Sequence, residues 1–76
     1  MTTLDWNNLE LEDIQKLERA QYTTTGSLVV EIKRDEEKFV VLTTWKNSIE
    51  WDALLCDTFT DARAEVNRVV AYHRNN

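Results

Sequence analysis

The sequence predicts an α+β fold of order α-β-β-β-α, a three-stranded antiparallel meander with two amphipathic helices packed on one face. Apolar residues recur at helical spacing near both ends of the chain. Between them, β-branched residues alternate with charged ones, and polar clusters separate the runs, which is typical of strands joined by short turns. With 76 residues, the chain is expected to form one small domain, residues 1–76.

The first helix is predicted over residues 8–22. Leu11 and Ile14 fall on one side of that segment at helical spacing, and Asn7 or Asn8 is a suitable cap. Acidic residues near its start suit the positive end of the helix dipole. The three threonines and the single glycine that follow disfavour helix and end it.

A β-hairpin is predicted over residues 28–45, with strands at 28–33 and 39–45 joined by a charged turn. The next segment, residues 49–58, is harder to assign. Its apolar residues alternate with acidic ones, which favours a third strand, whereas its pair of leucines allows a short helix. The alternation makes the strand the better fit.

The clearest element is a helix over residues 60–74, because its apolar residues follow a helical repeat. Thr60 is a natural N-cap, and Phe59 just before it is placed to form a hydrophobic staple. The residues on the apolar face are Ala62, Val66, Val69, Val70 and His73.

The composition leaves little for catalysis or cofactor binding. The chain has one histidine, one cysteine and one glycine, too few for a typical metal site or a phosphate-binding loop. His73 falls on an apolar helix face, and Cys56 is followed by Asp57, whose carboxylate raises the pKa of a thiol. We therefore expect no enzyme, no metal and no cofactor.

The chain also shows no targeting or membrane segment. The N-terminus has no cationic region followed by an apolar run, and the run Phe39-Val40-Val41-Leu42 is too short to cross a membrane. A single cysteine permits no disulfide within the chain, which fits a reducing compartment. We expect a cytoplasmic protein that does not associate with membranes.

The charge balance points to a protein partner. Fourteen acidic residues against nine basic ones give a net charge of −5. Nucleic-acid binding needs clustered basic residues, whereas an acidic chain is attracted to a basic protein surface; the same acidity also serves solubility alone. We expect a non-enzymatic protein-binding module, a small acidic inhibitor or regulator that mimics nucleic acid and blocks a nucleic-acid-processing protein. Phage and mobile-element inhibitors, anti-CRISPR proteins among them, are similar in size and charge.

The expected interface combines aromatic and acidic side chains. Tryptophan is enriched at interface hot spots, although a small core also needs large residues, and three tryptophans are many for this length. A homodimer would add burial that so short a chain needs. The candidate interface residues are Trp45, Glu50, Trp51 and Asp52 around the second turn, Asp35, Glu36 and Glu37 at the hairpin tip, and Glu12 and Asp13 on the first helix.

The predicted element order is similar to that of the double-stranded RNA-binding domain, over most of the chain. This resemblance implies RNA binding as the alternative function. That family places a basic cluster at the start of its second helix, where this chain reads Thr60-Asp61-Ala62-Arg63-Ala64-Glu65 and is nearly neutral. The difference favours the protein-binding expectation.

Overall fold

Residues 10–75 fold as a four-stranded antiparallel sheet with one helix before it and one after it. A computed structural model describes residues 10–75, so Trp6 and the cap predicted at Asn7 or Asn8 lie outside the described residues. The strands follow one another in space as they do in sequence, in the order β1-β2-β3-β4. The elements are α1 (Leu11–Gln15), β1 (Glu18–Thr25), β2 (Leu28–Asp35), β3 (Lys38–Trp45), β4 (Trp51–Cys56) and α2 (Phe59–Arg74).

The predicted first helix, residues 8–22, is wrong over most of its length. Only the five residues of α1 are helical, and the chain then extends into β1, which pairs with β2 from Glu18 to Thr25. The meander therefore has four strands rather than three, and the order α-β-β-β-α is wrong. The similarity to the double-stranded RNA-binding domain rested on that order and is lost with it.

The two helices pack on opposite faces of the sheet, not on one face. Successive residues of a strand point to opposite sides. Val41 packs in the core beneath α2 with Val66, whereas its neighbour Val40 packs on the other side with Ile14 of α1. Because both of its faces are covered, β3 carries a continuous apolar run instead of a strict alternation.

Helix α2 confirms the predicted last helix and begins one residue earlier than expected. Its N-cap is Thr58, not Thr60, and the Thr58 hydroxyl accepts a hydrogen bond of 3.1 Å from the Asp61 amide. Phe59 is the first helical residue instead of a staple before the cap, and its ring meets the edge of Phe39 at 5.5 Å between centroids. The helix thus starts against the beginning of β3.

The predicted hairpin and the third predicted strand are both present, as β2–β3 and β4. The short-helix alternative for residues 49–58 is wrong, because β4 pairs with β3 from Trp51 to Cys56. Each of the three strand connections contains one residue with left-handed backbone: Gly26 at φ 58°, Glu36 at φ 56° and Asn47 at φ 67°. Short connections between antiparallel strands commonly include a residue in that conformation.

Candidate protein-binding site

A continuous concave surface extends from α2 to the loop of residues 46–50 between β3 and β4. Its larger part, here called the α2 groove, has a volume of about 600 Å³ between α2 and strands β3 and β4. Its smaller part, the loop hollow, has a volume of about 430 Å³ beside the loop. Thr43, Trp45 and Asp52 line both parts, so the two are neighbours.

Trp45 stands where the two parts meet. It is the last residue of β3 and lies opposite Leu28 in the register, which places it on the α2 side of the sheet. Its ring packs against that of His73, with 4.6 Å between centroids and 58° between planes, yet the residue remains 46% exposed. The rest of the α2 groove presents exposed apolar surface from Leu54 and Tyr72.

The loop hollow is bordered by apolar and acidic side chains together. Trp51 lies opposite Thr44 in the register and so points away from the face that carries Trp45; the two indoles do not pair across the turn. Trp51 is half-buried against the α1 core, whereas Ile49 is 90% exposed. Glu50 and Asp52 bring two exposed carboxylates to the same hollow.

Hydrogen bonds hold the loop that presents Glu50. The Ser48 amide donates to the Trp45 carbonyl at 3.1 Å, and the Glu50 amide donates to the Ser48 hydroxyl at 3.0 Å. The Thr44 hydroxyl donates to the Glu50 carbonyl at 2.6 Å. Since its backbone is tied at both the amide and the carbonyl, Glu50 has a defined position beside the two indoles.

The electrostatic character differs between the two parts. In the α2 groove, Glu65 accepts hydrogen bonds from Arg68, whose Nε lies 3.1 Å from each carboxylate oxygen, and this pairing raises the pKa of Arg68. These two charges offset each other. At the loop hollow, by contrast, no basic side chain within residues 10–75 lies at ion-pair distance from Glu50 or Asp52. The loop hollow is therefore the acidic end of the surface.

Cys56, the one cysteine of the chain, is not available as a nucleophile. Cys56 is 7% exposed, and its pKa is raised first by burial and then by Glu65, Asp61 and Asp57, which keeps the thiol neutral. No three His, Cys, Asp or Glu residues in the part of the chain that the structure describes are placed to hold a metal ion. Among residues 10–75, no helix is long and apolar enough to span a membrane.

The structure brings together four of the nine predicted interface residues. Trp45, Glu50, Trp51 and Asp52 all line the loop hollow. The acidic residues of the hairpin tip lie at the other end of β3, and those of α1 belong to an element on the opposite face of the sheet. The residues outside the site are Asp35, Glu36, Glu37, Glu12 and Asp13.

Asp35 corrects one of these predictions. It was expected to be exposed at the hairpin tip, but it is only 1% exposed. Strand β2 continues as far as Asp35, and alternation directs its side chain to the same face as Lys33, which is also buried. The tip therefore presents Glu37 and part of Glu36 to solvent.

Several residues of the surface were not predicted from the sequence. Leu54 and Tyr72 border the α2 groove, and Ile49 borders the loop hollow. Tyr72 lies three positions after Val69, so the helical spacing that selected Val69 carried the signal. Ile49 had a weaker signal, a large apolar residue directly after a polar turn.

Comparison of the chain with protein-family models, curated protein sequences and solved structures finds no match. Functional inference therefore depends on the surface itself. Its distinguishing combination is an exposed indole beside two carboxylates that form no ion pair with a basic side chain of residues 10–75.

Proposed function

We propose that the chain is a non-enzymatic protein-binding module that receives a basic segment of its partner in the loop hollow. The observation that carries this proposal is the placement of Glu50 and Asp52 beside Trp45, Trp51 and Ile49. A lysine or arginine side chain has an aliphatic stem that packs on indoles and a cation that binds carboxylates. It therefore matches both the apolar and the acidic side chains of the hollow.

The wider surface supports a macromolecular partner over a small ligand. The α2 groove continues the loop hollow and adds exposed apolar side chains from Leu54 and Tyr72, which suit a second contact from the same partner. An exposed tryptophan near the centre of a mixed surface is a common hot-spot arrangement. The net charge of −5 adds long-range attraction that speeds encounter with a basic protein.

Basic surfaces of this kind are typical of proteins that bind nucleic acid. The proposal therefore extends to a stoichiometric inhibitor that occupies such a surface in place of nucleic acid, as acidic phage and mobile-element inhibitors do. The acidity of the loop hollow and of the chain supports this extension. It is tested by measuring whether the chain displaces a DNA or RNA duplex from a partner that it captures.

The binding proposal is tested with a fluorescent peptide of about ten residues that is rich in lysine and arginine, measured by anisotropy at low and high salt. Reversing both carboxylates, Glu50→Lys with Asp52→Lys, should weaken binding by about tenfold or more. Trp45→Ala should weaken binding by a similar factor while leaving the salt dependence in place, because it removes an apolar contact.

The matched control is the double reversal Glu36→Lys with Glu37→Lys, which changes the net charge equally at the other end of β3. It should weaken binding by no more than about twofold, because only long-range attraction is lost. Equal losses in the two double reversals would mean that total charge, not the loop hollow, binds the peptide. Affinity that is indifferent to salt and to both reversals would overturn the proposal.

A further inference from the structure

Strand β4 is an outer strand of the sheet with an apolar free edge. It pairs with β3 on one side, and no strand of the described chain lies on its other side. Leu54 and Leu55 point to opposite faces, and they are 47% and 37% exposed. An edge strand presents a row of backbone N–H and C=O groups that another strand can pair with. Apolar side chains exposed on both faces favour such pairing further.

The other outer strand, β1, carries a bulge and two edge charges, whereas β4 has no bulge and a single charge, Asp52. The register of β1 shifts between Arg19 and Gln21, which is a bulge, and its first two residues, Glu18 and Arg19, are charged. Bulges and edge charges block the approach of another strand. Strand β4 pairs with β3 without any register shift, and its last four residues, 53–56, are uncharged.

We propose that β4 pairs antiparallel with β4 of a second copy of this chain, joining two four-stranded sheets into one continuous sheet. A two-fold axis perpendicular to the sheet beside Leu54 sets Leu54 opposite its own copy and Ala53 opposite Leu55. Each exposed leucine is then covered by an apolar residue of the second copy. This interface is isologous, the arrangement most common among homodimers.

This register avoids placing the carboxylates of two acidic copies opposite each other. Residues 53–56 are uncharged, Asp52 lies opposite Cys56, and Asp57 lies opposite Trp51, so no carboxylate of one copy faces a carboxylate of the other. At one end of the segment, Lys38 Nζ lies 2.5 Å from Asp57 Oδ1 and offsets that charge. An axis beside Asp52 would instead set the two Asp52 carboxylates opposite each other, which is destabilising.

The dimer can be tested separately from the proposed peptide binding, although β4 also contributes Trp51 and Asp52 to the loop hollow and Leu54 to the α2 groove. Leu55 shares the face of Trp51, opposite the side on which α2 packs, and it lines neither the α2 groove nor the loop hollow. A change at Leu55 therefore tests dimerisation alone. Binding of the basic peptide is measured separately and reports on the loop hollow.

Sedimentation velocity of the full chain from about 1 to about 300 µM tests the proposal, because a dimer accumulates with concentration. The wild type should move toward twice its mass of 9.0 kDa. Leu55→Lys should raise the dissociation constant of the dimer by about a hundredfold, since it sets like charges close to the two-fold axis. The control Thr24→Lys adds the same charge to an exposed residue of β1 and should leave dimerisation unchanged.

Amide hydrogen exchange locates the interface independently of any substitution. The outward-facing amides of β4 should exchange more slowly as concentration rises, while those of β1 should not change. A chain that stays monomeric over the whole range would overturn the proposal. So would a dimer that forms equally well with Leu55→Lys, or one that protects β1 instead of β4.

Discussion

The indole of Trp45 and the imidazole of His73 are in ring contact at 4.6 Å between centroids. This contact joins the last residue of β3 to the final turn of α2, two elements that the sequence separates by 28 positions, from 45 to 73. Both residues line the α2 groove, and Trp45 also lines the loop hollow. The position of Trp45 in the candidate site and the packing of α2 against β3 thus depend on the same ring contact.

Replacing His73 with alanine should lower the free energy of unfolding by about 0.5–1.5 kcal/mol, because the ring contact is lost. Tryptophan emission should shift to longer wavelength as Trp45 becomes more exposed. His73→Phe keeps a ring at the position and should retain most of the stability. Urea unfolding and emission spectra of both variants give the measurement, and unchanged values for the alanine variant would show that the contact contributes nothing.

Val66→Asp should unfold the protein. Val66 is 3% exposed in the core beneath α2, and an unpaired carboxylate there costs several kcal/mol, a large share of the stability of a small domain. Val69→Asp should be milder, because Val69 is only partly buried. Asn67→Asp adds the same charge at an exposed neighbouring position and is the control. Thermal melts followed by circular dichroism should separate the three variants in that order.

The sequence predicted α2 well because its apolar residues recur with the 3.6-residue helical repeat and so indicate the buried face. Strand β1 has no comparable pattern. It is an edge strand of mainly polar residues, most of them exposed, and its pairing depends on backbone hydrogen bonds to β2 that no local pattern encodes. Ile14 does pack in a core, as its spacing indicated, but only within one short helix on the opposite face.

The candidate site was partly predictable for a similar reason. Trp45, Glu50, Trp51 and Asp52 flank one turn, so their proximity follows from the hairpin alone. The contribution of α2 depends on tertiary packing across the sheet and could not be inferred locally. Asp35 likewise lies on the face of the sheet that the prediction of both helices on one side left uncovered, so its burial was not expected.

The Lys38–Asp57 pair should be visible in an acid titration. Lys38 hydrogen-bonds to Asp57 and lowers the pKa of that carboxyl, so the pair stabilises the fold near neutral pH and its contribution is lost as pH falls through the lowered pKa. NMR titration should show Asp57 ionising below the ordinary range. Lys38→Met should return the pKa to that range, whereas Lys46→Met, also at an exposed lysine, should not. High salt should weaken the effect, because the pair is exposed.

Cys56 should react slowly with alkylating reagents. Burial, followed by the nearby carboxylates of Glu65 and Asp61, raises the pKa of the thiol, and only the thiolate is nucleophilic. Iodoacetamide followed by mass spectrometry should label the native chain at least about tenfold more slowly than the urea-unfolded chain. Because the raised pKa disfavours ionisation in the fold, stability should decline as pH rises into the range where an unfolded thiol ionises. Equal labelling rates would contradict the burial.

Glu36→Gly should stabilise the protein by about 0.5 kcal/mol. Glu36 occupies the turn between β2 and β3 at φ 56°, a conformation that costs a side-chain-bearing residue about 1 kcal/mol and glycine little, with part of the gain offset by the greater freedom of glycine in the unfolded chain. Gly26→Ala is the converse test, since Gly26 has φ 58° and an added Cβ would meet nothing within 4 Å. Backbone strain alone should then lower its stability by about 1 kcal/mol. Urea unfolding of both variants should give opposite signs, and a destabilised Glu36→Gly would show that contacts of the Glu36 side chain outweigh the strain.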